Sequence, residues 1–161
     1  MNKLALGTVQ FGLDYGITNS KGQVQIEEVK SILEYARENN INTLDTAASY
    51  GNSEEVLGSA SIDDFQVITK TISLRSGVDE VIKRFQQSLT YLNKLSVNGL
   101  LIHNINEIEH KSFDTLFNQL NELKNKGLIK KIGFSAYTPE QVDFLLKNFD
   151  FDLIQVPFNV F

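Results

Sequence analysis

Short apolar runs alternate along this chain with longer stretches whose apolar residues recur every three or four positions. The runs are Leu4 to Gly7, Ile41 to Leu44, Phe65 to Thr69, Gly99 to Ile102, Ile129 to Phe134 and Leu153 to Val156. Each is short enough for a buried strand, and none alternates cleanly between apolar and polar. That suits parallel strands covered on both faces. Between them, Glu27 to Asn39 sets Val29, Ile32, Leu33 and Ala36 on one helical face. Asp79 to Lys94 does the same with Val81, Ile82, Phe85, Leu89 and Leu92, and Ser112 to Lys126 with Phe113, Leu116, Phe117, Leu120 and Leu123. Gly127 stands where a helix C-terminal glycine belongs. Thr138 before Pro139 reads as the N-cap and first turn of a further helix. Residues 14–25, rich in Gly, Asn, Ser and Thr, read as a long first loop.

The order predicts an α/β fold of about six strands and five helices with right-handed crossovers. An open doubly wound sheet and a (βα)8 barrel both satisfy it. The first turn, Gly7-Thr8-Val9-Gln10-Phe11-Gly12, is not the G-x-G-x-x-G dinucleotide fingerprint, which counts against a Rossmann domain.

Polar residues recur at the C-terminal ends of successive predicted strands: Asp45, Lys70, His103, Ser135 and Gln155. In a barrel these ends converge on one mouth, and in an open sheet they line a crevice. Taken singly, each has a plainer use. Asp45 suits a turn or helix cap, Lys70 a solvated end, His103 a structural bond and Ser135 a helix N-cap. Their shared position is what points to a site. His110, in the acidic loop near Glu107 and Glu109, reads as a surface residue.

Composition narrows the function classes. The chain has 161 residues, 42% hydrophobic and 22% charged, with a net charge of -5. That fits one domain or part of one, with enough apolar material for a core. An acidic chain without a dense basic patch gives no reason to expect nucleic-acid binding. Lys124 with Lys126, and Lys130 with Lys131, read as solvating a helix end and the next turn. There is no cysteine, so no disulfide framework and no thiolate metal site. No stretch approaches the ~20 apolar residues of a membrane span, and the expected location is cytoplasmic. No dense His/Asp cluster calls for a metal.

The local words are more specific. Leu44-Asp45-Thr46-Ala47-Ala48-Ser49-Tyr50-Gly51-Asn52-Ser53-Glu54, continued by Leu57-Gly58, resembles the aldo-keto reductase segment. There an Asp at a strand end is followed five residues later by Tyr in Tyr-Gly-x-Ser-Glu. Lys70 falls where that family has its lysine, and Leu100-Leu101-Ile102-His103 is similar to its fourth strand with its histidine. Gly127 to Ser135 resembles the entry into strand five, and Gln155-Val156-Pro157-Phe158-Asn159 its strand-six segment. The opening, Leu6 to Gly16, looks like a bacterial branch associated with surface-sugar biosynthesis.

The resemblance implies a (βα)8 TIM-barrel fold, NADPH as cofactor and a small carbonyl compound as substrate, sugar-related on the likeness to the bacterial branch. It implies Asp45, Tyr50, Lys70 and His103 as catalytic residues. Tyr50 acts as general acid, Lys70 lowers its pKa, Asp45 holds Lys70, and His103 orients the substrate carbonyl. Ser135 and Gln155 are carried over as contacts to the nicotinamide carboxamide, with Asp45 and the Thr8 turn on the ribose side. Phe11, Tyr15 and Asn104 are candidates for the substrate pocket. Two positions depart from the pattern: Ala136 stands where many members have Asn, and Phe158 where Tyr is common.

Such a barrel needs eight strands and roughly 250 residues. Residues 1–161 are therefore expected to form its first part, truncated after about six strands. On that expectation the piece alone is nearly inactive, and its open sheet edges favour self-association. Two other readings stand beside the reductase. One is a cofactor-binding regulatory subunit of the same fold, as in potassium-channel beta subunits. The other is an aldolase-like barrel using Lys70 as a Schiff base.

Overall fold

The structure, a computed structural model, describes residues 3–158. Asn159, the last residue of the strand-six segment, lies outside them. Six strands form one sheet in chain order: β1 (Leu6–Gly7), β2 (Thr43–Asp45), β3 (Gln66–Lys70), β4 (Gly99–Ile102), β5 (Ile132–Ser135) and β6 (Leu153–Gln155). All five pairings are parallel. Sequential order with every strand parallel is the wall of a βα-barrel, not a doubly wound sheet, whose strand order reverses partway. Among the described residues the wall is a half-barrel, with β1 and β6 as its edges.

The helices are α1 (Val9–Gly12), α2 (Ile26–Glu38), α3 (Ser53–Ser59), α4 (Val78–Tyr91), α5 (Phe113–Asn125) and α6 (Pro139–Asn148). The faces predicted from periodicity are the buried ones. Val29, Leu33 and Ala36 of α2, Val81 and Phe85 of α4, and Phe113, Leu116, Leu120 and Leu123 of α5 all enter the core. They meet Leu44, Val67, Leu100, Ile102, Ile132 and Phe134 from the outer face of the sheet. Phe113, Phe117, Phe134, Phe149 and Phe151 add an aromatic cluster where α5, β5 and the approach to β6 meet. Most strand residues before the last are apolar on both faces, with Thr43, Gln66 and Thr69 as polar exceptions, so the sequence shows no clean alternation.

The ends of the elements follow local rules. Thr138 accepts the backbone N–H of Gln141 and caps α6. Gly127, at φ +78°, closes α5, while the N–H of Leu128 reaches back to the carbonyl of Leu123. Ser135 is not a helix cap, because Thr138 fills that place. Lys124 is more than a solvated end: it pairs with Asp152 at 2.5 Å, and Asp152 also accepts the N–H of Ile132. That ties α5 to the start of β5. His110 is half-buried, and its Nδ1 accepts the N–H of Ser112.

Candidate active site

The strand ends carry the predicted residues to one rim. Asp45 closes β2, Lys70 closes β3, His103 follows β4, Ser135 closes β5 and Gln155 closes β6. Tyr50 comes from the loop between β2 and α3, and its placement depends on two glycines. A Cβ on Gly12 would stand 1.9 Å from the Tyr50 carbonyl, and one on Gly51 would stand 2.2 Å from the Gly12 carbonyl. Gly51 also sits at φ +56°, which disfavours any other residue. The first loop and the Tyr50 loop thus pack backbone to backbone.

Lys70 is the hub. Its side chain is only 2% exposed, and its Nζ donates to Asp45 Oδ1 at 2.7 Å, to the Thr46 carbonyl at 2.9 Å and to the Tyr50 hydroxyl at 3.3 Å. An ammonium this deep requires such partners. The same Nζ lies 4.9 Å from the centre of the Tyr50 ring. The His103 ring meets Tyr50 edge to face at 6.1 Å. Ser49 Oγ lies 3.3 Å from His103 Nδ1, and Thr71 Oγ1 accepts the His103 N–H.

The electrostatics correct one expectation. Lys70 was expected to lower the pKa of Tyr50, but the hydroxyl is pushed up to about 12. Burial is the main cause, because it penalises the phenolate, and the Asp45 carboxylate comes next. Lys70 Nζ lies 2.7 Å from Asp45 Oδ1 and 3.3 Å from the Tyr50 hydroxyl, so its nearest anion is Asp45. Tyr50 therefore holds its proton firmly at neutral pH. His103 is held below the usual histidine range, first by burial and then by the Lys70 charge, so its ring is neutral at pH 7.

Behind the rim lies a network that the sequence reading missed. Glu54 of α3 is 2% exposed. Its Oε1 accepts the Thr69 hydroxyl at 2.7 Å, and its Oε2 pairs with Arg84 of α4 at 2.8 Å. Arg84 donates further to the Ala48 carbonyl, inside the Tyr50 loop, and to Ser88. The pair fastens that loop to the strand residue preceding Lys70. The available signal was a charge, Arg84, adjoining Phe85 on the apolar side of α4. Thr8 is fully buried: its hydroxyl donates to the Asp45 carbonyl and accepts from Ser53 Oγ. Its side chain supports Asp45 from below.

Two clefts open at the rim. One, of about 280 Å³, is lined by Asp45, Tyr50, Ser135, Tyr137, Gln155, Val156 and Pro157. The other, of about 400 Å³, runs past His103 between Ser49, Thr71, Ser73, Asn104 and Glu107. Tyr137 borders both. Of the pocket candidates, Asn104 lines the second cleft, Phe11 is core at 3% exposure, and Tyr15 stands exposed. Among the described residues no group of three His, Cys, Asp or Glu side chains forms a metal site. No helix among them is long and apolar enough to cross a membrane.

Comparison with known proteins agrees with this geometry. The profile of the Aldo/keto reductase family matches residues 3–161. Oxidoreductase sirO of Leptosphaeria maculans is 28% identical over 152 residues, covering 88% of this chain and 45% of that protein. A solved Pseudomonas aeruginosa protein described as an aldo-keto reductase superposes with a TM-score of 0.80 at 26% identity, over 97% of this chain and 63% of that one. The aldo-keto reductase of Bombyx mori in complex with NADP shares the fold, with a TM-score of 0.72 at 23% identity, over 95% of this chain and 53% of that one. The chain thus spans less than half the length of the sequence relative, and the part it matches is the N-terminal part of the barrel. With the profile covering nearly every residue and the half-barrel superposing on solved members, the chain belongs to the aldo/keto reductase family.

Proposed function

We propose that this chain carries the proton-handling part of an NADPH-dependent reductase that converts an aldehyde or ketone to an alcohol. The arrangement of Asp45, Lys70 and Tyr50 in one hydrogen-bonded series beside a neutral His103 supports that reading above all. When bound, the nicotinamide supplies the hydride. As negative charge develops on the substrate oxygen, Tyr50 gives up its proton. An alkoxide is a stronger base than a phenolate, so even a hydroxyl held near 12 transfers downhill. Lys70 donates to the phenol oxygen and stabilises the phenolate left behind, and Asp45 keeps Lys70 in place. His103, uncharged, donates one hydrogen bond to the carbonyl oxygen and fixes its direction.

The rim also suits the cofactor. A carboxamide needs both a donor and an acceptor, and Ser135 with Gln155 offers both beside Asp45 and Tyr50. Thr8 acts through Asp45 in this reading. Residues 1–161 form the first part of an eight-stranded domain, with the adenosine end of the cofactor held elsewhere in that domain. The Schiff-base alternative is disfavoured by the Lys70 amine itself. It is nearly inaccessible and held by three acceptors, whereas that chemistry needs a free, reachable amine.

The test is NADPH binding followed by nicotinamide fluorescence, on the 161-residue chain and on a version extended to a complete barrel. Binding by the extended version, with weak or no binding by the short one, is expected. No binding by either would sink the reading. Hydride transfer to a panel of aldehydes then separates the enzyme from a regulatory cofactor-binding subunit.

A further inference from the structure

The neutral ring of His103 has one proton to place. One of its two nitrogens carries hydrogen and the other a lone pair. Only the protonated one can donate to a carbonyl oxygen. A bare nitrogen in that position would turn its lone pair toward the lone pairs of the substrate. Which nitrogen holds the proton is set by what the other one meets.

Nδ1 meets Ser49, whose Oγ lies 3.3 Å away. Nε2 has no hydrogen-bond partner among the described residues. It is not shut away either. Glu107 Oε2 is the one buried side-chain oxygen or nitrogen without a partner among those residues, so the unpaired Nε2 is reached by solvent. Nε2 is therefore the nitrogen left for a ligand.

Both ends of the Ser49–His103 contact hang on pinned backbone. Ser49 is exposed, but the residue before it is held twice: the Ala48 N–H donates to the Lys70 carbonyl at 3.3 Å, and the Ala48 carbonyl accepts from Arg84 at 3.0 Å. The Tyr50 N–H, on the other side, donates to the Ala47 carbonyl at 3.0 Å. The His103 N–H is held by Thr71 Oγ1 at 3.3 Å. Beyond it, Glu107 Oε1 accepts the N–H of Leu74 at 2.9 Å and joins the loop after β4 to the loop after β3. Ser49 Oγ has no other partner among the described residues, so its hydrogen is available to Nδ1.

We propose that Ser49 is a positioning residue: its hydroxyl donates to His103 Nδ1 and so keeps the histidine proton on Nε2, where it serves the substrate carbonyl. This rests on the reductase reading above and adds a residue that acts through His103 without touching the reacting atoms.

The test is nitrogen NMR of the two histidine rings in the 161-residue chain, at about pH 8, where the His103 ring is neutral. Protonated and bare ring nitrogens resonate far apart, and their couplings to the ring hydrogens tell Nδ1 from Nε2. His110 supplies a reference. Its Nδ1 accepts the Ser112 N–H, which can only donate, so His110 in its neutral form carries the proton on Nε2. The variant His110→Gln assigns the signals. His103 should show the same pattern, with Nδ1 bare and Nε2 protonated. Ser49→Ala should draw its two nitrogen signals together as both tautomers become populated, and Ser49→Thr, which keeps the hydroxyl, should restore them. In a version extended to a complete barrel, Ser49→Ala should lower kcat/KM for an aldehyde by roughly twofold to tenfold, the worth of one neutral hydrogen bond, with NADPH binding unchanged and the rate recovered in Ser49→Thr. A bare Nε2 in the unaltered chain would overturn the proposal, as would His103 signals that ignore Ser49→Ala. Signals that move while kcat/KM does not would overturn the role in the reaction. If the signals behave as stated but the unaltered complete barrel reduces no aldehyde, the failure lies with the reductase reading, and the role of Ser49 falls with it.

Discussion

The two sides of the rim are built differently. On the side of β2, β3 and β4, each of Asp45, Tyr50, Lys70 and His103 is tied to a neighbour, and Glu54 and Arg84 brace the loop behind them. On the side of β5 and β6, Ser135 and Gln155 face a cleft, β6 is only partly buried, and Val156 and Phe158 stand exposed. The difference is physical. An acid and a buried ammonium must be held within a few tenths of an ångström and neutralised on the spot, which takes dense local bonding. Groups that grip a ligand keep their hydrogen-bonding capacity for it. On the proposed roles, the chemistry is assembled locally and the gripping groups face an open cleft.

The largest effect that would break this contrast comes from Tyr50→Phe. In a version extended to a complete barrel, carbonyl reduction should fall by about 10²–10⁴-fold, with NADPH binding retained. Steady-state rates and fluorescence titration check the two halves of that statement. Turnover that persists in the variant removes Tyr50 from its role and leaves the braced side without its purpose.

Next comes the brace. Glu54→Gln keeps an acceptor for the Thr69 hydroxyl but leaves Arg84, 18% exposed, without its counter-charge. Removing one partner of a buried pair should cost about 3 kcal/mol, read as a lower denaturant midpoint at unchanged slope. A loss below about 1 kcal/mol would mean that the Tyr50 loop is held by its glycine contacts alone.

The titration of Tyr50 sharpens the electrostatic side. Its pKa is raised, so its proton should stay on through the ordinary tyrosine range near 10 and leave only near 12. The difference in tyrosinate absorbance between the chain and Tyr50→Phe isolates this step. Asp45→Asn should bring it down, because the repelling carboxylate is gone. An ionisation already below 10 in the unaltered chain would restore the simpler expectation that Lys70 governs Tyr50.

That expectation shows where sequence reasoning stops. Periodicity located the long helices because α2, α4 and α5 each bury one stripe, and the six apolar runs found the six strands. It had no purchase on α1 or α3, which are too short to show a period, or on the 3-10 turns after β3 and β4. The rim residues were legible because strand ends are fixed by the strands. The resemblance added Tyr50, which lies in a loop. Glu54, Arg84 and Glu107 were named without a role or missed, since a buried charge looks like a surface charge until its partner, 30 or more residues away, is placed beside it. The direction of the Tyr50 shift depends first on how deeply the hydroxyl is buried and then on the Asp45 carboxylate, and no motif encodes either.

The smallest effect tests the loose side. Ser135 is nearly buried yet, among the described residues, makes no side-chain bond of the kind Thr8 and Ser53 make. Ser135→Ala should therefore leave stability within about 0.5 kcal/mol, the range of substitutions away from structural features. The same change in a complete barrel should weaken NADPH by roughly fivefold, the worth of one neutral hydrogen bond of about 1 kcal/mol. A thermal melt and a fluorescence titration on the same variant separate the two. If stability falls instead and the cofactor binds as before, the β5 side is structural after all, and the division between a braced and a gripping side of the rim does not hold. If stability holds and affinity drops, Ser135 differs from Thr8 in the way the contrast requires: the same kind of hydroxyl, one committed to the fold and one kept for a ligand.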